Sequence, residues 1–143
     1  MISEDQRDQI ASRQANAVIA LFQIDNLVAE SSEKGALPSA DPLLWSFLET
    51  GKPPGQRDQR LRSFLIDRMI SMGVSPQQLI DKLQSEQTTS AQRFALIAAL
   101  CRLRPEQLPE TLSARYCEVI ERYGKSDPSA AIHSICLLSL IHI

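Results

Sequence analysis

The sequence predicts an all-α protein: a short α-solenoid of about seven helices in antiparallel hairpins. Three features of the chain point to it. Apolar residues return every three to four positions in one stretch after another, and strand-type alternation is hard to find. Capping boxes recur, since Ser3, Ser75 and Thr89 each stand three residues ahead of a Gln (Gln6, Gln78 and Gln92). Glycine is scarce, at 5 of 143 residues, which also leans towards helices.

The first helix is expected over roughly residues 4–23. It starts at the Ser3/Gln6 box and carries Ile10, Ala17, Val18, Leu21 and Phe22 at helical spacing, and Leu27 and Val28 can extend it by a turn. Residues 30–40, ESSEKGALPSA, read as a loop. Asp41-Pro42 is a cap followed by proline at the first helical position. It opens a short second helix with Leu44, Phe47 and Leu48 on its buried edge and Trp45 beside them, closed by Gly51. The KPPG stretch at 52–55 is a turn-rich connector.

Asp58 caps a third helix with Leu61, Phe64, Leu65, Met69 and Met72 on one face. Gly73 stands where a left-handed C-terminal residue is wanted. Ser75-Pro76-Gln77-Gln78 opens the fourth helix, buried through Leu79, Ile80 and Leu83. The fifth, within Thr88–Leu103, is apolar nearly all round from Phe94 to Cys101, as a helix between two neighbours should be. Arg102 and Arg104 meet its carbonyl end and Pro105 stops it. Residues 105–109 form a tight connector. Thr111 opens the sixth helix, with Leu112, Tyr116, Val119, Ile120 and Tyr123 inward and Gly124 at its close. Asp127-Pro128 repeats the cap-plus-proline start for a seventh helix running to the end. The openings of the odd-numbered helices look alike (SRQANAVIAL, DQRLRSFLID, SAQRFALIAAL, DPSAAIHSICL), at the uneven spacing of HEAT or armadillo repeats.

A chain of 143 residues favours one domain, here expected to span 1–143. Apolar residues make up 43% and charged residues 22%, ordinary values for a soluble protein. The net charge of −2 gives no global pull towards nucleic acid or an anionic membrane. The polar start, MISEDQRDQIASRQ, resembles neither a signal nor a transit peptide. The longest apolar run, residues 132–143, is too short for a membrane span. Cys101, Cys117 and Cys136 match no zinc or disulfide spacing and are expected to be reduced core residues of a cytoplasmic protein.

DQRLRSFLIDRMISMGVSPQQLIDKL, then SAQRFALIAALCRLRPEQLP and DPSAAIHS, resemble the HEAT-like segment of certain large bacterial proteins. Those proteins join a serine/threonine kinase region to a domain similar to the formylglycine-generating (sulfatase-modifying) enzyme. The RQANAVIAL opening fits the same segment, and the likeness spans most of residues 12–134. It implies an interaction segment of a larger protein, with neither the kinase nor the sulfatase-modifying activity.

No catalytic constellation stands out, so the chain is expected not to be an enzyme. His133 and Cys136 lie three apart on a helix, but zinc would need Cys101, Cys117 and His142 to converge with them. The expected state is a buried histidine bonded to a backbone carbonyl beside a core thiol, with no metal or cofactor. Lys52, Arg57, Arg60, Arg62 and Arg68 make the only basic cluster, diluted by Asp58 and Asp67, and it lacks the footprint of a nucleic-acid reader. Arg68 falls inside the apolar arc, where it is expected to snorkel or pair with a neighbouring repeat. On the even-numbered helices Glu49, Asp81, Glu118 and Glu121 lie opposite the apolar faces and form a candidate stripe for a basic protein partner. The last helix is apolar in nearly every direction, so Leu138 and Ile141 are expected to mediate a homodimer. The function expected from the sequence is protein–protein interaction or scaffolding. The rivals are an enzyme with a cleft between helices and a nucleic-acid binder on a curved surface.

Overall fold

The computed structural model describes residues 1–31, 42–49 and 59–142. All regular structure among them is helical: seven α-helices and one 3-10 turn, with no strand. No helix among them is long and apolar enough to cross a membrane. The chain divides into two compact units, residues 1–73 and 74–143.

The first unit holds α1 (Glu4–Ser31), α2 (Leu43–Phe47) and α3 (Gln59–Arg68). α1 starts at the expected capping box: Ser3 N donates to Gln6 Oε1 at 2.9 Å and Gln6 N donates to Ser3 Oγ at 3.2 Å. It runs well beyond residue 23, to Ser31, because nothing from Gln23 onward breaks a helix. α3 and α2 both pack on α1. The buried stripe of α1 is Ala11, Ala15, Val18, Ile19 and Phe22. Ile10, Ala17 and Leu21, which share the apolar helical spacing with Val18 and Phe22, are exposed. The small side chains of Ala11 and Ala15 allow a close helix–helix approach on their side, and the neighbours settle there.

α2 also turns differently from the expectation. Trp45 is buried with Leu44 and Leu48, while Phe47 is only half-buried. The Trp45 ring meets Phe22 edge-on at a centroid distance of 5.2 Å, a favoured aromatic geometry. α3 buries Leu61, Leu65 and Ile66, and Met69 follows in the next turn. Phe64 is half-buried, and Met72 is exposed although expected inside. Gly73 has φ +95°, the left-handed region expected of it. The 32–40 part of the expected loop, the Asp41 and Asp58 caps, Gly51 and residues 52–55 lie outside the described residues.

The second unit holds α4 (Pro76–Gln84), α5 (Ser90–Leu100), the 3-10 turn Pro105–Gln107, α6 (Glu110–Ser126) and α7 (Ala130–His142). The capping boxes of Ser75/Gln78 and Thr89/Gln92 are both complete. α5 is enclosed, with Ala95, Leu96, Ile97, Ala99 and Leu100 buried, as its nearly uniform apolarity requires. Arg102 Nη1 donates to the Ala98 carbonyl at 2.7 Å and satisfies part of the helix end. α4 packs on α5 and α6, and α7 packs on α5 and α6.

Gly124 does not close the sixth helix. α6 continues through it to Ser126. A Cβ at Gly124 would lie 3.5 Å from Cys136 Cβ, an ordinary contact, so α7 packs close over this position and leaves room for a methyl group.

Candidate interaction surfaces

α7 is held on its inner side at three points. Ile132, Cys136 and Ser139 are buried, and the Ser139 and Tyr116 hydroxyls lie 2.6 Å apart in the interior. Asp127, just ahead of α7, is fully buried and accepts from Arg93 Nη1 at 2.8 Å, from Ser129 N at 2.9 Å and from Ser90 Oγ at 3.4 Å. His133 Nε2 is 2.5 Å from the Asp127 carbonyl oxygen. With its inner side fixed, α7 presents the opposite side outward. Leu137, Leu138, Leu140 and Ile141 are 64%, 52%, 42% and 76% exposed. No acidic or basic side chain separates them. Both residues singled out from the sequence, Leu138 and Ile141, stand on this apolar face.

The acidic candidates divide. Glu118 and Glu121 are both exposed on α6. Asp81, on α4, accepts from Gln77 Nε2 at 2.7 Å and pairs with Arg115 at 2.9 Å, so its charge is compensated within the unit. Glu49 is half-buried on the turn after α2, in the first unit.

The described members of the basic cluster bond within the first unit. Arg60 pairs with Glu4 and Asp8 on α1. Arg62 Nε donates to the Leu48 carbonyl at 2.9 Å. Arg68 Nη1 donates to Ser12 Oγ and Asn16 Oδ1, each at 2.8 Å, with the guanidinium 4.7 Å over the Phe64 ring. Arg68 therefore bonds to another helix, α1. Lys52 and Arg57 lie outside the described residues.

The cysteines are free; Cys136 is buried, and Cys101 and Cys117 are half-buried. Among the described residues no group of three or more His, Cys, Asp or Glu side chains could hold a metal ion. His133 bonds a backbone carbonyl as expected, but from an exposed position. A small pocket lies over Leu100, Cys101, Leu103, Pro105, Leu108 and Tyr116. Burial pushes the Tyr116 hydroxyl far above the usual phenol value, and burial, with Asp127 and Cys101 nearby, pushes the Cys136 thiol up to about 11. A nucleophile needs the opposite shift.

Two features escape a reading of the sequence. One is the buried Arg93–Asp127 pair, which joins residues far apart in the chain. The other is a second apolar stripe on α1. Ile10, Leu21, Ile24, Leu27 and Val28 all remain exposed. The returns from Leu21 to Ile24 and from Ile24 to Val28, three and four residues, were a visible signal, but they merge with the spacing of the buried stripe. No family model matches the chain, and no curated protein or solved structure shows significant similarity to it.

Proposed function

We propose that this chain is a protein–protein interaction or scaffolding module of HEAT-like architecture, with no catalytic activity of its own. The observation that carries the reading is the uncharged outer side of α7, with four large apolar residues in water. Fully burying a Leu or Ile stabilises by about 1.5–3 kcal/mol, so a partner that covers this side gains several such increments. A second copy of the chain is the partner proposed for it. The neighbour pattern in the second unit fits stacked hairpins, with α4 and α6 in one layer and α5 and α7 in the other. Glu118 and Glu121 offer a site for a basic protein partner. The resemblance over most of residues 12–134 is the support for a segment of a larger chain, and the free cysteines are the support for a cytoplasmic one.

Light scattering coupled to size exclusion tests the self-association. The wild-type chain should be a dimer or larger at micromolar concentration, and Leu138→Glu with Ile141→Glu should lower that mass. An unchanged mass in the variant removes α7 from the reading, and a wild-type monomer at high micromolar concentration removes self-association altogether.

A further inference from the structure

The exposed stripe of α1 has the pattern of a coiled-coil seam. Ile10, Gln14, Ala17, Leu21, Ile24 and Val28 follow one another at alternating spacings of four and three residues. Ala20 and Leu27 flank the seam, and both are exposed. Ile10, Leu21, Ile24, Leu27 and Val28 are 46%, 52%, 54%, 65% and 58% exposed. The buried stripe through Ala11, Ala15, Val18, Ile19 and Phe22 lies on another side of the same helix, so α1 carries two apolar faces and the described residues of the unit cover one.

We propose that this second face pairs with the same face of a second copy of the chain, as an antiparallel two-helix coiled coil. The inference does not depend on the role of α7. The seam is self-complementary in the antiparallel sense. Ile10 meets the partner's Val28, Gln14 meets the partner's Ile24, and Ala17 meets the partner's Leu21. Each layer at the centre then combines a small residue with a large one, which fills space evenly. A parallel pairing would set alanine on alanine and leave a void. Antiparallel alignment also places the two helix dipoles favourably. α1 is 28 residues long, about 42 Å at 1.5 Å per residue, which gives the seam ample length. Five large residues roughly half exposed on each copy would bury on the order of 1,000 Å² as a pair, where specific interfaces begin.

If α7 also self-associates, each chain has two independent two-fold contacts, and these build open assemblies unless they close. The test therefore uses the whole 143-residue chain in the Leu138→Glu/Ile141→Glu background. That protein should run as a dimer by light scattering. Adding Leu21→Glu and Ile24→Glu should make it monomeric, with unchanged far-UV circular dichroism. For register, the native cysteines are replaced (Cys101→Ser, Cys117→Ser, Cys136→Ala). Chains carrying Ile10→Cys and chains carrying Val28→Cys are then mixed and mildly oxidised. Crosslinks should form between the two kinds of chain and not within either kind. A monomer in the α7-variant background, or a mass indifferent to Leu21→Glu and Ile24→Glu, overturns the proposal. Crosslinking of like with like overturns the antiparallel register.

Discussion

Arg93 Nη1 lies 2.8 Å from the Asp127 carboxylate, with the Asp127 side chain at 0% exposure and Arg93 at 20%. The pair ties the start of α5 to the turn before α7. Ser129 N and Ser90 Oγ take up the remaining capacity of the carboxylate, and the Arg93 guanidinium stacks 4.7 Å over the Tyr123 ring. A buried ion pair adds little over an apolar pair of the same shape, but losing one partner strands a charge. Asp127→Ala should therefore destabilise the chain by about 3 kcal/mol in urea denaturation. Arg93→Met combined with Asp127→Leu should recover much of that loss. If the double variant is as unstable as the sum of the two single ones, the pair is not coupled as described.

Gly73 and Gly124 should respond oppositely to alanine. Gly73 has φ +95°, and an added Cβ would meet Gln23 Nε2 at 3.1 Å. Gly73→Ala should cost about 1–2 kcal/mol. Gly124 sits inside α6 without a positive φ, and its added Cβ would make an ordinary contact with Cys136. Gly124→Ala should be neutral or stabilising by up to about 1 kcal/mol through helix propensity. A larger side chain, as in Gly124→Leu, should push α7 off α6 and destabilise. Thermal melts of the three variants check the order.

Cys136 links packing to pH. Its thiol, ordinarily at 9.0, is pushed up to about 11 by burial, with Asp127 and Cys101 adding to it. The folded chain thus holds this proton longer than the unfolded chain does. Stability from this group is full below pH 9 and falls as pH rises from 9 towards 11, because the unfolded thiol ionises first. Cys136→Ala should flatten that part of the pH–stability curve. Iodoacetamide labelling at pH 8, read by peptide mapping, should reach the half-buried Cys101 and Cys117 before Cys136. Rapid labelling of Cys136 in the native chain would contradict its burial.

The starts of α1, α4 and α5 were legible because a capping box is a local bond between residues three apart, and Ser3, Ser75 and Thr89 make theirs whatever lies around them. Enclosure of α5 followed equally from its own composition. The composition of α7 is as uniformly apolar, yet α5 and α6 pack on one side of it, and Leu137, Leu138, Leu140 and Ile141 stay exposed on the other. The choice among faces was different. α1 offers two apolar stripes of similar spacing, and the sequence pattern does not rank them. Only the approach of α3 and α2 to the alanine side decided that Val18 is buried and Leu21 is not. Trp45 displaced Phe47 from the inner edge of α2 because Phe22 of α1 stands where an indole can meet it edge-on. Glu49, Asp81, Glu118 and Glu121 look equivalent on a helical wheel, yet Arg115 reaches Asp81 from another helix. Asp127 reads as a helix cap until Arg93, 34 residues earlier, is seen to close over it. Local bonding fixes where helices begin; which side of each turns inward, and which charges remain free, depends on partners that only the folded chain brings within reach.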